Sequence, residues 1–426
     1  MGGASGGGGP VEPFPSWLID DSVWQPEPEG HAAIESCRFE SADPATLPLP
    51  PLRWESCWAG CERASILQTG ATYAQLPRLS TTTRDGAETP LLVQLESFEY
   101  RGALGRSGRT VFRVIDLTSG GTIAALQRIR EPIHVEGSSC TLRVWSRENA
   151  LHLALSAAKR YQKGTFDLSA NRWIWQLPLR PSVGVETCFP LEFQNGGRTL
   201  YLCGKKIYAS LEPGSSEVTE LEDLGEEFVA DSGADDADLA IWAEMKYRGQ
   251  GSRIRGWAPD GQGVRMLLSD LPGDTCAVGL SGTRIAGAMI EPRDGRGCRA
   301  TYGKFTVWYA DRHGVDSAGP TVTFSPQITD RSVVPQKVTT AGDFIAVKVA
   351  QTDKGLENRD NVILVRTTDW AKRWVPPPPG HAIYDHTLTS RYLYVAPTGA
   401  GGTWEIHDSV YRYDLTKFES IGEPLE

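Results

Sequence analysis

The 426-residue sequence has no long apolar run and little that predicts helices. No stretch approaches the roughly 18 consecutive apolar residues that a membrane-spanning helix requires. Apolar residues instead alternate in short runs bounded by Gly, Pro, Asp and Asn, a pattern typical of β-strands joined by tight turns. The sequence therefore predicts an all-β protein without a spanning helix.

The chain also has fewer basic than acidic residues. The chain has 43 Lys and Arg against 53 Asp and Glu, which gives a formal net charge of −10. A general nucleic-acid binder needs a basic surface to displace counterions from phosphate. The composition therefore argues against nucleic acid as a partner, and it limits membrane attachment to a lipid anchor at the N-terminus.

Sequence motifs of catalysis are absent. The chain has neither a GxSxG nucleophile elbow nor a Walker-type loop. Its Gly-rich segments 120–126 and 399–405 lie on predicted hairpin turns and not before helices, so they do not predict phosphate binding. Paired carboxylates of the glycosidase kind are set by tertiary distance, which a sequence does not show. The architecture is therefore better determined than the activity.

What the chain does have is a repeat. A β-rich run is followed by Asp-Leu-Thr/Ser, or a turn-forming substitute, and then by a second β-rich run. The turn residues are on average about 50 residues apart, the period of propeller-type repeats. They are Asp116, Asp167, Glu212, Asp260, Asp311, Thr368 and Asp414. Apolar-alternating strands are predicted before these phrases at 151–157, 199–204, 239–246, 284–291, 344–351 and 391–397.

These repeats predict an all-β fold, a seven-bladed β-propeller of four-stranded antiparallel blades. A lone four-stranded sheet leaves one face wet, so the blades must stack radially. We expect a strand from residues 54–68 to help close the ring. One alternative is eight blades, with residues 30–70 as a divergent blade, and another is an open β-sandwich array.

The predicted domain organisation has three parts. Residues 1–15 form a flexible Gly-rich tether, and residues 16–62 form an irregular extension rich in Cys, Trp and Pro. The propeller occupies residues 63–426.

The turn phrases resemble those of PQQ-type, kelch and TolB-like propellers over residues 63–424. Features of other families are missing: there is no GH…WD pair, and residues 258–266 match only the Asp-x-Gly centre of a sialidase box. The resemblance implies the architecture and a site on a rim or at the channel. It transfers no active residue, and no motif for stacking a quinone cofactor supports a quinone-dependent dehydrogenase.

Eight cysteines suggest disulfides. Two pairs fall on predicted neighbouring antiparallel strands, which brings cysteines within disulfide reach. The predicted pairs are Cys188–Cys203, Cys276–Cys298, Cys57–Cys61 and, from the cysteines that remain, Cys37–Cys140. Such pairing favours an oxidising compartment. The alternatives are buried free thiols and, for the CxxxC spacing, a zinc site.

The N-terminal MGGASGGGGP resembles the mature start of bacterial lipoproteins, with Met1 where the lipidated cysteine would stand. Together with the cysteines, it predicts an exported lipoprotein that is periplasmic or on the cell surface, tethered to the outer membrane.

Two metal sites are candidates. His134, His381 and His386, with Asp385, would form a transition-metal site at the channel mouth, because imidazole suits such metals. The acidic run 217–238, predicted as a loop, would bind calcium through carboxylates. Its ligands would be Asp231, Asp235, Asp236 and Asp238. Neither set has the spacing of a known ligand motif. The alternative for the histidines is that they are unrelated side chains with ordinary hydrogen bonds, and the alternative for the acidic run is a solvated loop. Apart from these two possible metals, the sequence predicts no cofactor.

The sequence favours a monomeric binding or scaffold module of the cell envelope over an enzyme. Its rim loops would contact a protein or glycan partner. The alternative is a polysaccharide lyase or hydrolase with its site at the mouth of the central channel.

Overall fold

The computed structural model consists almost entirely of antiparallel β-sheet. It describes residues 24–25, 40–42, 51–58, 60–66, 73–84, 87–102, 105–130, 141–147, 150–157, 160–167, 172–175, 189–195, 198–203, 205–210, 218–235, 239–246, 251–257, 263–291, 298, 303–312, 321–351, 359–378, 381–399 and 409–425.

The strands in chain order are β1 (Trp24–Gln25), β2 (Glu40–Ala42), β3 (Glu55–Ser56), β4 (Cys61–Ser65), β5 (Tyr73–Arg84), β6 (Ala87–Gly102), β7 (Gly105–Asp116), β8 (Thr122–Arg130), β9 (Thr141–Arg147), β10 (Ala150–Ala157), β11 (Arg160–Asp167), β12 (Arg172–Trp175), β13 (Phe189–Asn195), β14 (Arg198–Cys203), β15 (Lys206–Ser210), β16 (Val218–Asp223), β17 (Phe228–Asp235), β18 (Ala240–Lys246), β19 (Ser252–Trp257), β20 (Val264–Leu271), β21 (Asp274–Leu280), β22 (Arg284–Ile290), β23 (Gly303–Asp311), β24 (Val322–Phe324), β25 (Ile328–Ala341), β26 (Phe344–Gln351), β27 (Arg359–Arg366), β28 (Lys372–Val375), β29 (His381–Leu388), β30 (Tyr392–Gly399), β31 (Ser409–Asp414) and β32 (Glu423–Leu425). One 3-10 helix, Leu415–Ser420, follows β31.

Consecutive strands group into four-stranded antiparallel units: β5–β8, β9–β12, β13–β16 and β17–β20. The units β21–β24 and β25–β28 share one sheet, because β23 also pairs with the long strand β25. The first strands of successive units contact one another: β5 contacts β9 and β29, and β21 contacts β17 and β25. First strands therefore lie innermost. This arrangement confirms the all-β prediction and makes the fold a β-propeller.

The last unit takes its fourth strand from the N-terminal side of the chain. Its sheet has the order β29-β30-β31-β4-β3. Strand β4 lies within the segment 54–68, from which the sequence predicts a closing strand, and its Ser65 pairs with Ser409 of β31. The predicted disulfide Cys57–Cys61 is present at the start of β4, and Ala64 of this strand is buried.

The C-terminal phrase differs from its prediction. After Asp414 the chain forms the 3-10 helix and not a second hairpin strand. Leu415 and Phe418 are buried in this helix, and Thr416 N donates a hydrogen bond to the Asp414 carboxylate. The final strand, β32, then pairs with β28 of the preceding unit. Burial of two apolar side chains three residues apart favours the helical turn over an extended strand.

The predicted hairpin turns are present at two of the described positions. Asp116 accepts hydrogen bonds from the backbone N–H groups of Thr118 and Ser119. In the β27–β28 turn the anchor is Asp369 and not the predicted Thr368, because the Asp369 carboxylate accepts from Ala371 N. Aspartate is common in turns because its carboxylate can accept a hydrogen bond from the backbone N–H two residues further along the chain.

The acidic run 217–238 is not the predicted loop. Most of it forms β16 and β17, which the loop assignment missed because carboxylates dominate its composition. Cross-strand cations neutralise the exposed side of β16: Lys206 Nζ lies 2.8 Å from Glu220 and 3.6 Å from Asp223. Arg255 of β19, in the next unit, forms a half-buried ion pair with Glu222.

The hydrophobic core lies between neighbouring units. Within one cluster, Ile345 and Val347 of β26 pack near Val338 of β25 and Phe305 of β23. The predicted disulfide Cys276–Cys298 is buried in the same cluster. Of the other predicted cysteines, Cys203 ends β14, while Cys37, Cys140 and Cys188 lie outside the described residues. In the part of the chain that the structure describes, no helix has the length and apolar character to cross a membrane.

Candidate functional site

The candidate site is built around a β-bulge in β29. Ile383 pairs with Pro397 and Asp385 pairs with Ala396, so Tyr384 is the additional residue of the bulge. A bulge bends its strand and changes the direction of the side chains beside it. Because β29 is an innermost strand, the bulge places Tyr384 and Asp385 where three neighbouring units meet.

Asp385 is buried and fully engaged. Its Oδ1 lies 2.6 Å from Nζ of Lys337 in β25, and its Oδ2 accepts a 2.9 Å hydrogen bond from the backbone N–H of Leu79 in β5. The backbone N–H of His386 also donates to it, at 2.9 Å. Only 4% of Asp385 is exposed. One carboxylate therefore connects the units β5–β8, β25–β28 and β29–β31.

The charges around Asp385 determine its protonation. Burial alone would raise its pKa, but the Lys337 ammonium, the Arg78 guanidinium and the hydrogen bonds hold the pKa below its ordinary value. Asp385 is therefore ionised at neutral pH. Lys337 Nζ is fixed in turn, since it also donates a 2.8 Å hydrogen bond to the carbonyl oxygen of His386.

Two cations, Arg78 and Lys348, lie over the Tyr384 ring, and Lys337 is bonded to the adjacent Asp385. We call Arg78, Lys337 and Lys348 the inner basic cluster. The guanidinium carbon of Arg78 lies 4.7 Å from the centre of the Tyr384 ring, and Lys348 Nζ lies 5.7 Å from it. Burial raises the pKa of the Tyr384 hydroxyl, so this group is protonated and can donate a hydrogen bond.

The inner basic cluster has more positive than negative charge. Lys337 is paired with Asp385, and Lys348 lies 2.8 Å from Asp360. Arg78 is exposed and forms no ion pair with any carboxylate in the described segments. The arrangement can therefore bind an anionic group through Arg78 and the neighbouring lysines. It is unsuited to a metal cation, which these charges would repel.

Three of the four predicted transition-metal ligands, His381, Asp385 and His386, lie on β29 and are not grouped there as a metal site. Asp385 is used by Lys337 and by backbone donors, and His386 is completely buried. Burial and the Lys337 charge lower the pKa of His386 to about 3, and its neutral ring lies with Nε2 3.2 Å from the carbonyl oxygen of Ala346. His381 is five residues from His386 along β29, roughly 15 Å in an extended strand.

Across the described segments, no group of three or more His, Cys, Asp or Glu side chains is placed to hold a metal ion. His134 lies outside those segments, so the complete four-residue site stays a prediction. The predicted calcium site also stays a prediction. Asp231 and Asp235 are residues of β17, while Asp236 and Asp238 lie outside the described chain.

The sequence prediction found Asp385 and missed the basic residues around it. Lys348 interrupts the apolar segment IAVKVAQ, and Lys337 lies in the mixed strand segment PQKVTTA. A lysine among buried strand residues usually has a charged partner, so both positions offered a signal. Arg78 offered none, because it lies about 300 residues from Asp385 in the chain.

Several solved structures are similar in fold. The β-propeller domain of the Trilobed protease from Pyrococcus furiosus, described as having an open velcro topology, is 13% identical. The match covers 81% of this chain and 97% of that chain, with a TM-score of 0.45. An uncomplexed acylaminoacyl peptidase from Pyrococcus horikoshii is 14% identical, with 81% of this chain and 52% of that chain covered and a TM-score of 0.44.

An oligogalacturonate lyase in complex with manganese is 10% identical, with 86% of this chain and 96% of that chain covered and a TM-score of 0.48. The chain thus spans about half the length of the peptidase. No protein-family model and no curated protein matches the sequence. At this identity the similarity concerns the fold and not the activity.

Proposed function

We propose that this protein is a β-propeller binding module whose inner basic cluster contacts an acidic group of a protein or glycan partner. The observation behind this proposal is the grouping of three cations, from the units β5–β8 and β25–β28, around the half-buried Tyr384 and the neighbouring Asp385 of β29. The rest of the chain is acidic, with a net charge of −10. A local positive field in such a protein selects anionic ligands.

We further propose a ring of seven blades closed by β4. Support comes from the pairing of β4 with β31 and from the contact between β29 and β5. The described strands of residues 30–70 join existing sheets, since β2 pairs with β8 and β3 pairs with β4. This placement favours seven blades over eight. A closed ring holds Arg78 of the first blade against Tyr384 of the last.

We propose an oxidising compartment outside the cytoplasm on the basis of the disulfides. Two disulfides, Cys57–Cys61 and Cys276–Cys298, suit an oxidising compartment. They support an exported protein of the cell envelope.

A polysaccharide lyase or hydrolase is the second candidate. Its acid or base would need a free, positioned group near the inner basic cluster. Asp385 is bonded to Lys337 and ionised, and His386 is buried with its pKa lowered, so neither suits that role. These contacts favour binding over catalysis.

We expect Arg78→Gln to weaken binding of an acidic ligand about tenfold, because a hydrogen bond to a charged group contributes ~1.5–3 kcal/mol. The measurement is titration calorimetry with a uronate hexasaccharide and with a glutamate hexapeptide, each against a neutral counterpart. Whichever acidic ligand binds identifies the class of partner. Binding should weaken with added salt.

Arg391→Gln is the matched control. Arg391 is exposed and also lies over a tyrosine ring, 5.0 Å from the centre of Tyr392, but it is outside the inner basic cluster. Equal effects of the two variants, or binding that ignores ligand charge, would contradict the proposal. Cleavage of the hexasaccharide would support the enzyme instead.

A further inference from the structure

A second site lies at the edge of the unit β17–β20. Its residues are the first of β17 and β19 and the last of β18 and β20, and in an antiparallel sheet these ends meet at one rim. They enclose a cleft of about 380 Å³, at the small end of the ~300–1,000 Å³ range of ligand pockets. We call it the rim cleft. Its wall includes Phe228, Lys246, Arg253, Met266, Asp270 and Leu271.

Arg253 is held in a fixed position in the rim cleft. Its Nε lies 2.5 Å from Oε2 of Glu244, a residue with no exposed surface. The Trp242 indole N–H donates to the other Glu244 oxygen at 2.7 Å. The guanidinium carbon also lies 3.6 Å from the centre of the Phe228 ring. A buried carboxylate and an aromatic face thus orient this one cation.

The Nη groups of Arg253 remain available for a ligand. Glu244 engages only Nε, and within the described residues neither Nη group makes a hydrogen bond. Lys246, the last residue of β18, is exposed and forms no ion pair in the same part of the chain. An arginine with two free donors matches the paired oxygens of a carboxylate.

A bulge places Asp270 opposite Arg253. Ser252 pairs with Leu271 and Ile254 with Leu268, so Arg253 faces two residues of β20. Asp270 has a φ of +54° and is exposed, yet it forms no ion pair with Arg253. The cations Arg253 and Lys246 are balanced by the carboxylates Glu244 and Asp270, of which Glu244 is already bonded to Arg253. The Nη groups of Arg253 and the ammonium of Lys246 can bind one carboxylate, whereas the balanced charges offer no net attraction to a polyanion.

The rest of the wall combines the apolar Phe228, Met266, Leu271 and Pro272 with two serines. Phe228 and Leu271 are buried, and Met266 is 41% exposed. Methionine is flexible and adapts to different apolar side chains. Arg253 already covers one face of Phe228, so the ring is not open for stacking by a sugar. These features favour a peptide over a glycan.

We propose that the rim cleft binds the C-terminal carboxylate of a peptide with an apolar last residue. Arg253 and Lys246 contact the carboxylate, and the terminal side chain packs between Met266 and Leu271. Asp270 accepts a hydrogen bond from a backbone N–H of the peptide. Capture of a chain terminus is a known mode of peptide recognition. The site is separate from the inner basic cluster and does not depend on it.

The test is fluorescence anisotropy of the full chain with a labelled hexapeptide ending in leucine, as the free acid and as the amide. We expect the amide to bind at least about tenfold more weakly, since the hydrogen bonds to a charged carboxylate are lost. Arg253→Gln should weaken the free acid about tenfold, and Lys246→Gln roughly threefold. Lys246→Gln leaves the buried Glu244 pair intact, so it remains informative if the Arg253 variant fails to fold.

Lys304→Gln, at an exposed position of β23, is the matched control and should bind like the unchanged protein. Asp270→Asn should strengthen binding of a peptide with glutamate before the terminal leucine. Arg78→Gln should leave peptide binding unchanged, which separates this site from the inner basic cluster. Equal binding of acid and amide, binding of neither, or displacement of the peptide by a uronate oligosaccharide would each overturn the proposal.

Discussion

Deletion of residues 1–66 is expected to destabilise the propeller severely, because it removes the strand β4 from the last blade. Five residues of β4 pair with β31, from Cys61↔Tyr413 to Ser65↔Ser409. Full burial of an apolar side chain contributes ~1.5–3 kcal/mol, so loss of Ala64, Ile66 and the strand ladder should cost about 5 kcal/mol or more. The exposed edge of β31 would also promote aggregation. Denaturant unfolding and size-exclusion chromatography measure both effects.

Two controls test whether the loss of stability is due to β4. Deletion of residues 1–15, the predicted tether, should leave the unfolding midpoint unchanged. Within β4, Ala64→Asp places a charge at a buried position, whereas Ser65→Asp changes its exposed neighbour. Ala64→Asp should therefore reproduce much of the large loss, and Ser65→Asp should not. Retained stability after deletion of residues 1–66 would refute the assignment of β4 to the last blade.

Asp385→Ala is expected to cost about 3–5 kcal/mol, the typical result of removing one partner of a buried ion pair. The substitution leaves Lys337 Nζ without its carboxylate and the N–H of Leu79 without its acceptor. The double variant Asp385→Leu with Lys337→Met should recover much of the loss, because no unpaired charge remains. Chemical denaturation of the unchanged protein, the single variants Asp385→Leu and Lys337→Met and the double variant provides the cycle.

The same residue predicts a pH dependence. The pKa of Asp385 in the folded protein lies below its ordinary value, so the unfolded chain takes up this proton first as the pH falls. Its contribution to stability is complete above the ordinary aspartate pKa of about 4 and is lost as the pH falls toward the folded-state pKa. Asp385→Ala should lack this loss. Asp369→Asn, at an exposed ion pair, should change stability little, and a similar effect of both substitutions would contradict the buried role.

Local patterns in the sequence predicted the blades well. The predicted segments 239–246 and 344–351 correspond to β18 and β26. Both are short and rich in consecutive apolar residues, which is typical of a strand buried on both faces. The pair Cys276–Cys298 was predicted from equivalent places on neighbouring strands, and this disulfide is present. Such features depend on residues close together in the chain.

The candidate site was only partly predictable because it depends on distant contacts. Asp385 was singled out as a metal ligand, yet its partners Lys337 and Leu79 lie 48 and 306 residues away in the chain. The bulge at Tyr384 changes the directions of the Tyr384 and Asp385 side chains, and no sequence pattern within β29 predicts it. The cross-blade pairing of β32 with β28 was missed for the same reason.

A cysteine cross-link between β4 and β31 tests the closed ring most directly. Ser65 and Ser409 are paired across the two strands, where Cα atoms are typically ~4.5–5.5 Å apart and within disulfide reach. Intact-mass and peptide mapping of the Ser65→Cys/Ser409→Cys protein, folded without reductant, should show this disulfide and a higher unfolding midpoint. Absence of the cross-link in a folded protein, with both new cysteines reactive to alkylation, would contradict a ring closed by β4.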